Sequence, residues 1–551
     1  MKIKIGDYLI EKLKEFNVDS IYGVPGDYNL GFLDHIDDAQ GIEWVGNCNE
    51  LNAAYAADGY ARIRGFAAMV TTFGVGELSA VNGIAGSYAE SVPVVKITGM
   101  PTTEVQENRL FVHHTLGDGE FNRFSKMFEE ITVTHTILSE MNAKDEIDRV
   151  LRDCYIYKKP VYIGLPVDVA EKEIEVTPGK IDLEVKSNPE TLVQFVEAVK
   201  NLVSNSKGQF LLADFEVIRE GLESELANFV NNIKIPAGSL SLGKTAIDET
   251  NEYFAGIYTG KLSSDLMKEV ITASDLGIYV GVKLTDCTTA GFSCINSELH
   301  TVEIMANCAL VNGKKFKNIR MKDAIEAIQA AKLAFSNPVK IKNVEEPKFV
   351  ANNNLIVANR FFKQIESFLE EKDVLVAETG TSFYGAANLR MPKGASFVGQ
   401  ALWGSIGYAL PAILGTQMAD LTRRNILLIG DGSLQLTAQE ISTMLREDTK
   451  PVLFILNNDG YTIERVIHGP RRHYNDINMW NYAELANVFG LKNRKALNFK
   501  VTTEKELQDA MNTINANRGQ LAIVEVIMDM DDAPQFLIDV AEHAFKKQNA
   551  Y

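Results

Sequence analysis

Gly430-Asp431-Gly432-Ser433 leaves the apolar run Ile426–Ile429, and Asn457-Asn458-Asp459-Gly460 leaves a second run, Val452–Leu456. Asp431 and Asn458 therefore offer hard oxygens at two strand exits, the donor type that Mg²⁺ takes together with phosphate oxygens. The glycines allow a backbone to approach a phosphate closely. Alone, Gly-Asp-Gly-Ser could be an ordinary strand-ending turn. The Asn pair, about thirty residues on, favours a site for a metal-bound diphosphate.

His113-His114, within Phe111-Val-His-His-Thr-Leu-Gly-Asp118, is a second feature. Adjacent histidines cannot share one helix face or one strand face, so this is not metal-ligand spacing of the i, i+4 kind. Imidazole titrates near neutral pH and suits proton transfer. Gly23-Val-Pro-Gly26-Asp27-Tyr-Asn29 places a carboxylate at an early strand exit, and Glu50 opens a helix after Asn49. An acid at that position is also an ordinary helix-dipole partner.

The elements that must position these residues alternate between strand and helix periods. The pattern predicts helices over Tyr8–Phe16, Glu50–Arg62 and Ser79–Ala89, and strands over Ser20–Val24, Ala67–Thr72 and Val94–Thr98. Further strands are expected at Val374–Ala377, Ile426–Ile429, Val452–Leu456 and Ala522–Val526. Such alternation implies an α/β fold with mainly parallel sheets flanked by helices, and ligands at the strand exits. The pattern lapses at Thr177–Lys180 and Ser187–Glu190, and again from Ser336 to Asn354. Three domains follow, over residues 1–180, 190–340 and 355–551. A chain of 551 residues also exceeds what one core can serve, about 250–300 residues. The middle unit has no G-x-G-x-x-G after a strand, hence no sign of a bound dinucleotide.

A formal net charge of −18 with no basic block argues against a nucleic-acid surface. Met1-Lys-Ile-Lys runs into Tyr8–Phe16 without a long apolar h-region, and no apolar stretch reaches about 18 residues, so a cytoplasmic protein with no membrane partner is expected. The five cysteines contain no C-x-x-C pair, which disfavours disulfides and zinc.

The Asp431/Asn458 composite resembles the signature of thiamine diphosphate (ThDP) enzymes. Together with Asp27, Glu50 and His113-His114, the chain resembles, over nearly its full length, the ThDP-dependent 2-oxo-acid decarboxylases, the group acting on pyruvate, indolepyruvate and branched-chain 2-oxo acids. The resemblance implies ThDP and Mg²⁺ as cofactors, with a ThDP-binding fold in the first and third domains. It makes Asp431, Asn458 and the Gly460 carbonyl the metal ligands, with Gly432, Ser433 and the backbone near Ile463 against the diphosphate. Glu50 falls on the position that contacts the pyrimidine ring nitrogen and favours the imino tautomer. Asp27, His113 and His114 fall on proton-relay positions, and Glu464 on the acid beside the reacting carbon. Ile406 matches the wedge between the cofactor rings, Gly404 the carbonyl acceptor, and Thr379 and Thr381 the Glu-Thr-Gly-Thr cofactor loop. Clustered carboxylates would raise one another's proton affinity, so Asp27 or Glu464 could hold a proton near neutrality.

By the same resemblance, the reaction is non-oxidative decarboxylation of a 2-oxo acid to an aldehyde, in a homodimer at least and a tetramer by extension, with active sites between subunits. Cys287, Thr379, Phe383, Ile463, Val540 and Phe545 match substrate-pocket positions. Small residues at 287 and 540 lean toward branched or aromatic 2-oxo acids, with pyruvate as the alternative. A carboligase of the acetolactate synthase type is disfavoured by the paired histidines, and a non-catalytic ThDP-binding protein by the presence of Glu50 and the relay residues. With no cysteine between Cys154 and Cys287, thiol-linked substrate activation is not expected.

Overall fold

Runs such as Val94–Ile97 and Val452–Leu456 are apolar on both faces apart from Lys96, as expected of strands covered by helices on both sides. The computed structural model describes residues 1–341, 349–490 and 496–545. One six-stranded parallel sheet comprises Ser20–Gly23, Glu43–Gly46, Ala67–Thr72, Val94–Met100, His135–Ile137 and Val161–Pro166. Another comprises Val374–Ala377, Ser396–Val398, Asn425–Gly430, Val452–Asn457, Leu497–Val501 and Ala522–Ile527. In both, the spatial order is second, first, third, fourth, sixth, fifth. The first and third domains therefore share one topology. In each the order reverses between the first and third strands, where open α/β sheets place ligands. The loops leaving those strands carry Asp27 and Gly74 in one domain, and Thr379 and Asp431 in the other.

The middle sheet has seven strands. Five are parallel, from Phe254–Tyr258 through Ala237–Leu240, Gln209–Ala213 and Leu276–Val280 to His300–Ile304, and an antiparallel pair, Cys308–Val311 and Lys314–Lys317, extends one edge. Lys2–Lys4 pairs antiparallel with Glu173–Glu175, tying the start of the chain to the end of the first domain. No regular element lies between Glu175 and Pro189. Of the second pattern break, residues 342–348 lie outside the described residues.

Ala67–Thr72 and Val374–Ala377 have the bounds expected of them. The helix expected from Ser79 begins at Val75, because the Glu77 carboxylate accepts the Gly74 N–H at 2.8 Å and caps an extra turn. The first and third domains meet through helices Glu50–Arg64 and Ala409–Ala419. A Cβ at Gly59 would stand 2.2 Å from the Ala412 carbonyl oxygen, and one at Gly415 only 1.8 Å from that of Ala56. Glycine is required at both places for the backbones to approach. Buried Glu440 reinforces the joint by accepting from the Asn47 and Asn52 side chains at 2.8 and 2.7 Å. Among the described residues no helix is long and apolar enough to cross a membrane.

Candidate active site

The first domain gathers Asp27, His113 and His114 at its strand exits. The Asp27 carboxylate bonds the His113 Nε2 and lies 3.5 Å from the His114 Nε2. His114 has φ +60°, and this left-handed step turns two consecutive imidazoles toward one carboxylate, which no helix or strand could do. The loop is held against Gly74, where a Cβ would fall 1.9 Å from the His114 carbonyl oxygen, and Tyr28 stacks on the His113 ring at 5.0 Å. The three ligand atoms lie within 4.8 Å of one another, a convergence that side-by-side spacing argued against. Glu464 is not part of it: it stands exposed on the first turn of Thr462–His468. Among the described residues no second carboxylate joins Asp27 and the two histidines in this cluster.

Glu50 is the first residue of its helix, behind the cap in which Asn49 accepts the Asn52 N–H. Burial raises its carboxyl above the usual range, opposed by a backbone hydrogen bond and the charge of Lys96. One carboxylate oxygen lies 3.1 Å from where a Cβ on Gly76 would be. Beside it, the buried Thr72 hydroxyl has no hydrogen-bond partner.

The third domain holds the acid and amide pair. Asp431 is buried and accepts the Gly432 N–H at 2.7 Å and the Gly460 N–H at 3.0 Å, drawing the two glycine loops together. Burial pushes it up to about 6. No cation pairs with it among the described residues, and the side-chain amide of Asn458, only 3 % exposed, bonds to none of them. An under-compensated carboxylate beside an unused amide oxygen suits a hard divalent cation. Gly432 and buried Ser433 follow Asp431 into Asp431–Thr437. Thr379 donates to the Gln400 carbonyl at 3.1 Å, with Thr381 next in the same turn. Half-buried Ile406 and Gly404 lie in a loop tied to the first domain by Ser405, whose hydroxyl meets that of Tyr55 at 2.6 Å.

Sequence reasoning passed over Glu378. It is fully enclosed and accepts the Thr379, Gly407 and Ala409 N–H groups at 3.0, 3.1 and 3.0 Å, so one carboxylate fixes both cofactor-type loops. Burial pushes it up to about 7. Its position, an acid at a strand exit, was the available signal.

Cys287, Phe383 and Phe545 converge around Tyr384, which the sequence reading did not single out. Its hydroxyl meets the Cys287 thiol, which burial pushes up to about 12, and its ring lies 5.7 Å from Phe383 and 6.2 Å from Phe545. Gln535–Val540 continues into a π turn, Ala541–Phe545, and the extra residue of that turn carries Phe545 to Tyr384. Ile463 faces Gly380, 3.8 Å from its Cβ direction. Val540 has no exposed surface and packs in the core with Leu537 and Ala544, so in the single chain it touches no open space. Phe383 is also core, 1 % exposed.

Two groups result. Among the described residues no hydrogen bond or ion pair joins Asp27, Glu50, His113 or His114 to Asp431, Asn458 or Glu464.

Family models for the N-terminal, central and C-terminal domains of thiamine pyrophosphate enzymes match residues 3–123, 196–330 and 378–526. The chain is 41% identical to pyruvate decarboxylase isozyme 3 of Saccharomyces cerevisiae over 98% of each protein, and 41% identical to the pyruvate decarboxylase of Kluyveromyces lactis over the same shares. It is 40% identical to an alpha-keto-acid decarboxylase of Mycobacterium avium, over 97% of this chain and 96% of that protein.

Proposed function

The chain belongs to the ThDP-dependent 2-oxo-acid decarboxylases, and from that membership we propose that each active site joins the first domain of one copy to the third domain of another. The enzyme removes carbon dioxide from a 2-oxo acid and releases an aldehyde. ThDP, when bound, supplies the electron sink for the pair that the departing carboxylate leaves behind. Asp431, Asn458 and the Gly460 carbonyl would hold Mg²⁺ against the diphosphate, with Gly432, Ser433 and the Ile463 backbone around it. Thr379, Thr381, Gly404 and Ile406 would seat the rings. Glu50 would hold the proton exchanged with the pyrimidine nitrogen. Asp27, His113 and His114 would carry protons at the reacting carbon, completed by Glu464 of the second copy.

Family membership supports this reading, and the absence of any hydrogen bond or ion pair between the two residue groups, among the described residues, is compatible with it. Each group is also rimmed by exposed apolar side chains: Leu110, Phe111 and Leu116 beside the histidines, and Trp403 and Leu436 near the ring loop. Such surfaces fit a self-complementary contact with a second copy. The test is complementation. Glu50→Gln and Asp431→Ala chains, each inactive, should regain decarboxylation when unfolded and refolded together, because a mixed dimer contains one site with both halves intact. No recovery in verified mixed dimers would place both halves of the site in one chain.

The substrate is a branched or aromatic 2-oxo acid in this reading, with pyruvate also accepted. Its support is the small Cys287 beside Tyr384, on whose ring Phe545 also packs. Relatives carry names specifying either pyruvate or alpha-keto acids. Cys287→Trp should lower kcat/KM for 4-methyl-2-oxopentanoate and indolepyruvate about 10–200-fold relative to pyruvate, since the methyl of pyruvate needs little of that volume. Equal losses on all substrates would remove residue 287 from the pocket.

A further inference from the structure

The strand Val94–Met100 carries a lysine, Lys96, in the middle of the first domain's core, with no surface exposed. Its ammonium donates to the Thr71 and Thr98 hydroxyls at 2.7 Å each and to the Ile97 carbonyl at 3.0 Å. All three N–H groups are thus used on neutral oxygens, and among the described residues no carboxylate comes within ion-pair distance. The rings of Phe128 and Tyr162 close over it at 5.7 and 6.0 Å. A buried ammonium without a paired anion is costly and calls for an explanation.

Its surroundings supply one. The Thr71 Cβ stands 3.4 Å from where a Cβ on Gly76 would be, and a Glu50 carboxylate oxygen stands 3.1 Å from the same point. Lys96 is therefore separated from Glu50 by little more than one threonine side chain and a glycine, where Gly76 leaves the space between them unfilled. The titratable groups facing it are Glu50 from helix Glu50–Arg64, Glu77 from helix Val75–Ala89 and Tyr162 from strand Val161–Pro166. Glu77, whose charge acts on Lys96 more strongly than that of Glu50, is bonded to the Gly74 N–H and to the Tyr162 hydroxyl, at 2.8 and 2.9 Å, and points to the helix start and not to the cofactor-facing residues. Burial keeps the Tyr162 phenol neutral throughout the useful pH range.

We propose that Lys96 is an electrostatic positioning residue for Glu50, its fixed ammonium favouring the ionised carboxylate that must face the pyrimidine nitrogen. This rests on the reading of Glu50 as the ring contact. Burial lowers Lys96 to about 7, so its charge, and with it the influence on Glu50, is present below that pH and fades above it.

The experiment follows hydrogen–deuterium exchange at the C2 position of bound ThDP against pH, alongside ThDP affinity, in the Mg²⁺-loaded wild type, Lys96→Gln, Lys96→Met and Glu50→Gln. In both Lys96 variants the low-pH limb should move up by about one unit, a loss of about tenfold on that limb, and the curves should converge with wild type above the lysine's own titration. A merely structural lysine would slow exchange by one factor at every pH; that result, or an unmoved limb, overturns the proposal. Wild-type exchange in Glu50→Gln would sink the reading of Glu50 and the proposal with it, whereas a collapse there beside unmoved limbs in the Lys96 variants would sink the proposal alone. Should neither Lys96 variant fold, lysine ε-¹³C spectra of the holoenzyme decide it. By reciprocity Glu50→Gln should lower the Lys96 midpoint, and an unchanged midpoint overturns the coupling.

Discussion

Glu50→Gln should slow C2 hydrogen–deuterium exchange in bound ThDP by about 10²–10⁴-fold, the range that a positioned general acid or base contributes. The substitution keeps the size of the side chain and the helix start behind Asn49, while removing the one carboxylate that Gly76 leaves room for. Asp431 and Asn458, proposed above to hold the metal and diphosphate, leave two strands of the third domain, so Mg²⁺-dependent ThDP affinity should change little. Exchange and affinity, measured on the same preparation, separate loss of proton transfer from loss of cofactor. Exchange at the wild-type rate would remove Glu50 from the reaction.

Asp431→Ala should cost more metal affinity than the about 10–100-fold typical of losing an outer-shell partner, and with it nearly all ThDP binding and turnover. The same carboxylate sets a pH dependence. Burial pushes Asp431 up to about 6 in the metal-free protein, so protons and Mg²⁺ compete for it. Above that value the carboxylate is already free. Below it, apparent Mg²⁺ affinity should fall about tenfold per pH unit, because each binding event must first displace a proton. Calorimetric Mg²⁺ titrations in the presence of ThDP, from pH 7.5 to pH 5 or so, read this directly. Affinity independent of pH across that window would mean that the metal does not bind through Asp431.

Glu378 shows how a residue can be present in a recognised motif and still be misjudged. In the linear chain it is the first letter of Glu-Thr-Gly-Thr, and attention falls on the threonines. In the fold its carboxylate reaches Gly407 and Ala409, about thirty residues on, and ties the two loops that would seat the cofactor rings. Lys96 is a similar case: in Val-Val-Lys-Ile-Thr it interrupts an apolar strand, and the Thr71 hydroxyl of the neighbouring strand, with Thr98 and the Ile97 carbonyl of its own, makes its burial tolerable. Val540, expected at the pocket for its small volume, lies fully enclosed with Leu537 and Ala544, while Phe545 lies against Tyr384.

What the amino-acid order determined by itself is what depends on near neighbours. Strand positions such as Val374–Ala377 follow from apolar runs and the turns that end them, and Asp431 and Asn458 were visible because each directly follows such a run. The β/α alternation fixed the fold class for the same reason, since covered parallel strands need continuous apolar sequence. Tertiary structure alone decided the encounters between distant residues: Asp27 with His113 across 86 positions and with His114 beside it through a left-handed step at His114, Lys96 with the Thr71 hydroxyl, and Glu378 with the Gly407 and Ala409 N–H groups. Such contacts depend on how helices pack on one another and on sheets, with helix–helix approaches as close as Gly415 to Ala56, and periodicity along the chain carries no record of them.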